Sequence, residues 1–117
     1  MKNTAIIDLQ QDICRRFQSE YTPFADELKV GISRNFDPSV MPINGMRHNQ
    51  ESGTTGWYLW TGEYSSEADF FQPLHAKHLD EKCPQVLKYL GLSPGWRFLI
   101  ANNHEDVWFD ECLLIER

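Results

Sequence analysis

The sequence predicts an α+β fold: an antiparallel or mixed sheet of three to five strands, with an N-terminal helix and one or two further helices packed on it. Three observations carry this expectation. An apolar stripe of helical period opens the chain, short aromatic-rich runs in strand alternation fill its second half, and a second helical stripe broken by Pro84 lies between them. At 117 residues the chain is the length of one domain, read here as 1–117. A domain of this size buries somewhat over about 60% of its unfolded surface, enough for one core without staples. A 41% share of hydrophobic residues argues against disorder.

The first helix is expected from Thr4 to Ser19. Ile6, Leu9, Ile13 and Phe17 form one stripe, with Asp8, Asp12 and Arg15 opposite. Asn3 or Thr4 can cap its first turn, and Tyr21-Thr22-Pro23 ends it, because a residue before proline leaves the α region. Leu28 to Ile32 alternates apolar with polar or small residues and reads as a strand with one buried face. Asn35 to Thr55 is rich in Asn, Pro, Gly and Ser and reads mostly as loop, with a short strand near Ile43 to Arg47 as the one element it could hold.

Gly56-Trp57-Tyr58-Leu59-Trp60-Thr61-Gly62 is the strongest strand signal. Trp57 and Leu59 point one way and Tyr58 and Trp60 the other, so the strand is expected to be central and covered on both sides. Ser65 or Ser66 can cap a helical turn from Glu67 to Phe71. Leu79, Cys83, Val86, Leu87 and Leu90 form the second stripe. Pro84 divides it into a piece over His75 to Glu81 and one that begins with Pro84 at its first position, where a missing N–H does no harm. Gly91 suits the left-handed residue past the helix end, with Leu92 folding back as its apolar partner. After a Pro94-Gly95 turn, Trp96 to Ala101 reads as a strand, Asn102-Asn103-His104 as a hairpin turn, and Asp106 to Phe109 as the antiparallel return. The tail, Cys112 to Ile115, is apolar enough to dock.

The net charge of −6 disfavours nucleic acid and suits a basic protein partner. Asp8, Gln10, Gln11 and Asp12 interrupt any apolar run of signal-peptide length, and no run approaches the ~20 residues of a membrane span, so the expected location is the cytoplasm, with no membrane partner. Cys14, Cys83 and Cys112 are odd in number and contain no C-x-x-C pair, which reads as free thiols. His75 and His78, even with Cys83, do not make the three or four convergent ligands a zinc site needs, so no metal and no cofactor are expected. Nucleophile elbows and phosphate-cradling glycine loops are missing, and the acidic pairs Asp80-Glu81, Glu105-Asp106 and Asp110-Glu111 are expected by number among 17 Asp and Glu. The chain is therefore read as non-enzymatic.

The four tryptophans, Trp57, Trp60, Trp96 and Trp108, lie in strands with apolar neighbours and read first as framework. Trp108, between Asp106 and Asp110, is the one expected to reach the surface, as a binding hot spot. A wider pattern runs through the same half of the chain. Gly56-Trp57-Tyr58-Leu59-Trp60-Thr61-Gly62-Glu63-Tyr64 is followed by Asp69-Phe70-Phe71-x-Pro73-Leu74-His75, by Cys83-Pro84, by Tyr89-Leu90-Gly91-Leu92-x-Pro94-Gly95-Trp96-Arg97-Phe98-Leu99 and by Asp106-Val107-Trp108-Phe109-Asp110. Over Gly56 to Leu114 the chain resembles the immunity-protein-33-like family of small bacterial proteins. That resemblance implies a protein that neutralises a bacterial toxin by occluding it, and it carries no catalytic residues. The expected partner is a basic toxin domain, and the expected contact surface is Glu63, Asp69, Glu105, Asp106, Trp108 and Asp110. The alternative is a small-molecule-binding or enzymatic domain with an aromatic pocket around Trp60, Trp96, Arg97 and His75. A third reading, an oligomeric adaptor, would need an exposed apolar patch repeated across a symmetry axis.

Overall fold

Six strands, not three to five, make one mixed sheet with helical segments packed on one face. The computed structural model describes residues 4–115. In chain order these are α1 (Thr4–Phe17), β1 (Lys29–Ser33), β2 (Ile43–Arg47), β3 (Thr54–Thr61), β4 (Phe71–His75), a 3₁₀ turn (Ala76–His78), α2 (Leu79–Lys82), a 3₁₀ helix (Pro84–Tyr89), β5 (Trp96–Ala101), β6 (His104–Phe109) and a closing 3₁₀ turn (Glu111–Leu114). The sheet order is β4-β1-β3-β2-β5-β6. The β1–β3 pair is parallel and every other neighbouring pair is antiparallel.

Register assigns each side chain to a face. Trp57 lies opposite Arg47, Leu59 opposite Gly45, and Gly45 opposite Phe98. This face receives Ile13 and Cys14 of α1, Leu79 of α2, and Val86 and Tyr89 of the 3₁₀ helix. Tyr58 and Trp60 lie opposite Met46 and Asn44, and Met46 opposite Arg97, on the face without helices.

α1 ends two residues earlier than expected. Gln18 takes a left-handed φ of 66° and the Ser19 N–H reaches back to the Cys14 carbonyl at 2.9 Å, a C-terminal cap that ends the helix before Pro23 acts. Asn3, the alternative N-cap, lies outside the described residues. The buried line is also shifted: Leu9 is exposed and Gln10 is buried in its place. Gln10 can occupy that position because both ends of its amide are satisfied, Nε2 donating to the Leu87 carbonyl at 2.8 Å and Oε1 accepting from the Tyr21 hydroxyl at 3.1 Å.

The segment read mostly as loop holds a strand at the centre of the sheet. β2 pairs with β3 on one side and β5 on the other, and all five of its residues are buried. Phe71 begins a strand rather than ending a helical turn. The Ser65 hydroxyl does accept from the Glu67 N–H, but the turn closes when the Phe70 N–H meets the Glu67 carbonyl, and β4 follows. Pro73 is tolerated because β4 is an edge strand. Pro84 opens a 3₁₀ helix at its first turn. Gly91 keeps an ordinary φ, and its small size is needed because a Cβ there would lie 2.6 Å from the Tyr21 ring. Pro94-Gly95 forms the expected turn, with Gly95 at φ 100° and the Trp96 N–H bonded to the Ser93 carbonyl.

Arg47 is the most constrained polar group of the core. It is fully buried, and among the described residues no carboxylate is seen to pair with it. Its Nε donates to the Thr55 carbonyl at 2.9 Å, and Nη1 donates to the carbonyls of Thr22 and Leu92, each at 2.7 Å. The rings of Phe24 and Trp57 flank the guanidinium at 5.6 and 5.7 Å. Burial lowers its pKa to about 10, which still leaves it charged at neutral pH.

Arg47→Met leaves the Thr22, Thr55 and Leu92 carbonyls without their donor. At roughly 1–3 kcal/mol per unsatisfied buried group, the variant loses about 3 kcal/mol or more of stability in urea unfolding; an unchanged midpoint would refute the clamp. Gly45→Ala places a Cβ against the Phe98 ring, and the same assay should show a loss of roughly 1–3 kcal/mol from overpacking.

Candidate functional site

The β5–β6 hairpin builds one end of the helix-free face. Its two-residue connection, Asn102-Asn103, has Asn102 at φ 49°, the left-handed conformation a tight hairpin needs. Arg97 on β5 lies opposite Trp108 on β6. The Arg97 guanidinium sits 5.4 Å from the Trp108 ring centre, and its Nη1 donates to Asp110 Oδ2 at 3.0 Å. Asp110 Oδ1 accepts from the Cys112 N–H at 3.0 Å and so caps the closing 3₁₀ turn. The bond from Arg97 is the main reason the Asp110 carboxyl is held below its usual range, with the Cys112 N–H adding to it. The tail is held through its backbone rather than by the apolar side chains expected to dock it: the Leu113 carbonyl meets His48 Nδ1 at 3.2 Å and the Leu114 carbonyl accepts from Asn49 Nδ2, while Cys112 and Ile115 are exposed. Trp108 is thus fixed by its neighbours while 38% of its surface stays exposed. Asp106, on the same face, is exposed and meets His104 at 2.9 Å.

An aromatic cluster builds the other end. Trp60, Tyr64, Phe70 and Phe71 touch edge-to-face or tilted, with ring centres 4.9–6.3 Å apart. Trp60 is buried beneath, while Tyr64 is 54% exposed. Glu63 and Asp69 flank the cluster on the exposed β3–β4 connection. No Lys or Arg occurs between Arg47 and Lys77, whereas Glu51, Glu63, Glu67 and Asp69 do. Like Phe109, which is 49% exposed, Tyr64 is a surface aromatic that sequence reasoning passed over. Its signal was the Gly-Glu-Tyr-Ser-Ser context, too polar for a buried ring.

Glu105 stands apart from the other five predicted contact residues. It lies opposite Ile100 on the helix side. There it accepts a short hydrogen bond from the Tyr89 hydroxyl, pairs with Arg16 at 2.8 Å and lies 3.9 Å from Lys88. Its carboxyl is held below the usual range, first by the Tyr89 hydroxyl and then by Arg16. Burial and the facing carboxylate raise the Tyr89 phenol.

Trp60, Trp96, Arg97 and His75 do not form a pocket. Trp96 continues the helix-side row of Phe98, and Trp60 belongs to the opposite face. His75 lies on edge strand β4, four strands from β5, or about 19 Å at the usual strand spacing. Among the described residues, no group of three or more His, Cys, Asp or Glu could hold a metal ion. The Cys83 thiol is buried and pushed up to about 11, and burial also raises Cys14, so neither is a ready nucleophile at neutral pH. No helix among the described residues is long and apolar enough to cross a membrane.

Compared with known families, residues 9–110 match the model of the Imm33-like domain. The match extends well to the N-terminal side of the Gly56 to Leu114 stretch that carried the resemblance. No curated protein and no solved structure matches significantly.

Because the folded Glu105 carboxyl has a lowered pKa, its stabilising contribution is complete above the unfolded carboxylate range and is lost as pH falls through the folded value. Stability from pH 7 down to pH 3 should therefore fall less steeply in Glu105→Gln than in the parent chain. Parallel curves would show that the Tyr89–Glu105–Arg16 contacts contribute nothing to acid stability.

Proposed function

The chain belongs to the Imm33-like domain family, and from that premise we propose that it is an immunity protein: a non-enzymatic module that binds a bacterial toxin domain in the cytoplasm and occludes its working surface. The observation that carries the choice of surface is Trp108. A large ring backed by Arg97, which Asp110 holds in place, about two-fifths exposed and bordered by Asp106, is the kind of anchor that dominates protein interfaces. It loses little rotamer freedom on binding, because its neighbours have already fixed it.

Asp106, Glu63 and Asp69 supply an acidic border that would speed encounter with a basic toxin domain. Tyr64 extends the surface toward the aromatic end. Asp110 supports Trp108 rather than reaching outward, and Glu105 contributes through the stability of β6.

The test is to screen toxin domains, beginning with any encoded beside this gene, for binding to the chain and for protection by it. Trp108→Ala should weaken the complex by about 2 kcal/mol, roughly thirtyfold in Kd. Asp106→Lys combined with Glu63→Lys should slow association and flatten its salt dependence with little change in dissociation. If both variants protect cells as well as the parent chain does, the contact surface lies elsewhere. If the parent chain itself gives no protection, the immunity reading fails.

A further inference from the structure

At the β4–β1 side of the helix-free face, two hollows meet. The first, about 230 Å³, is lined by Gly31, Tyr58, Phe71, Pro73 and the stem of Lys29, among others. Its wall is apolar: the Tyr58 and Phe71 rings stand edge-to-face with centres 5.1 Å apart. Gly31 leaves the floor flat, since a Cβ there would lie 2.5 Å from the Tyr58 ring. The second, about 270 Å³, is lined by Lys29, Pro73, Leu74, His75 and His78. Lys29 is the direct cross-strand partner of His75, and the His75 and His78 rings lie 6.1 Å apart. Lys29 and Pro73 line both, so the hollows lie side by side there.

The chemistry of the composite is uneven. One half offers two aromatic rings and a proline; the other offers an ammonium and two imidazoles. Among the described residues, no carboxylate lines either half, although the chain carries a net charge of −6. Lysine brings three donors, and each neutral imidazole still donates one N–H. Together the hollows reach the lower part of the range of about 300–1,000 Å³ usual for small-molecule sites.

We propose that this hollow binds a small amphipathic anion, with a flat apolar body against Tyr58 and Phe71 and a carboxylate or phosphate held by Lys29, His75 and His78. The site is distinct from the Trp108 surface and does not depend on the immunity reading. Of the residues predicted for a small-molecule pocket, it uses only His75.

The experiment titrates the full chain separately with phenyl phosphate, benzoate, inorganic phosphate and phenol, following the His75 and His78 imidazole and Tyr58 ring signals by NMR. Phenyl phosphate or benzoate should shift both sets of signals, and whichever binds tighter identifies the preferred headgroup. Inorganic phosphate and phenol, each carrying half of the ligand, should bind at least about tenfold more weakly. Lys29 is exposed, so Lys29→Gln should keep the fold and weaken phenyl phosphate about tenfold; His78→Gln gives an independent second variant. Inorganic phosphate binding as tightly as phenyl phosphate would reduce the site to surface charge and overturn the proposal. So would an unchanged affinity in both variants, or no response of these signals to either amphipathic anion.

Discussion

A single buried guanidinium ties together three segments that lie far apart in the chain. Arg47 ends β2, and its donors reach the carbonyls of Thr22 in the link after α1, Thr55 in β3 and Leu92 before β5. Its own carbonyl accepts from the Gly95 N–H. A charge this deep would be unfavourable without partners. Here carbonyl dipoles and two aromatic faces take the place of a counter-ion, and their positions are set jointly by three separate segments. Removing any one of those segments would leave the guanidinium short of donors' partners, so Arg47 makes the helix layer and the sheet conditional on each other.

The same constraint explains which parts of the fold were legible. β3 and β5 declare themselves because Trp57, Leu59, Trp60 and Phe98 alternate or cluster as strand residues do. β2 does not. Its sequence, Ile-Asn-Gly-Met-Arg, has one β-branched residue and a glycine, and its place at the centre depends on partners far along the chain. Gly45 is there to admit the Phe98 ring, and Arg47 to reach three carbonyls. Neither requirement leaves a local pattern. β4 was missed altogether: Pro73 reads as a breaker unless the strand is known to be an edge. At the candidate site, exposure of Trp108 was legible because acidic neighbours two residues away share its face and resist burial. The partners of Glu105 were not, since Tyr89 and Arg16 come to it only through the packing of the helical layer.

The two faces of the sheet divide the work. The helix side is a packed core in which even the polar groups, Gln10 and Arg47, are bonded inward. The other side carries rings fixed by one another or by charge: Tyr64 rests on Trp60, Phe70 and Phe71, and Trp108 on Arg97. A packed layer thus lies behind the sheet and a face of preordered rings in front.

The strand order also dictates when this protein can exist during its own synthesis. The first three strands to be made cannot close the sheet, because β2 lies between β3 and β5, and β5 is not complete until residue 101. α1 waits as well: Gln10 bonds to Leu87, and the Tyr21 bridge is to Leu92. Contacts of such long sequence separation form late and slowly. The four strands made first, β1 to β4, are contiguous in the sheet and can pair with one another before β5 is made, but the core they cover is completed only when Val86, Tyr89, Leu92 and Phe98 arrive.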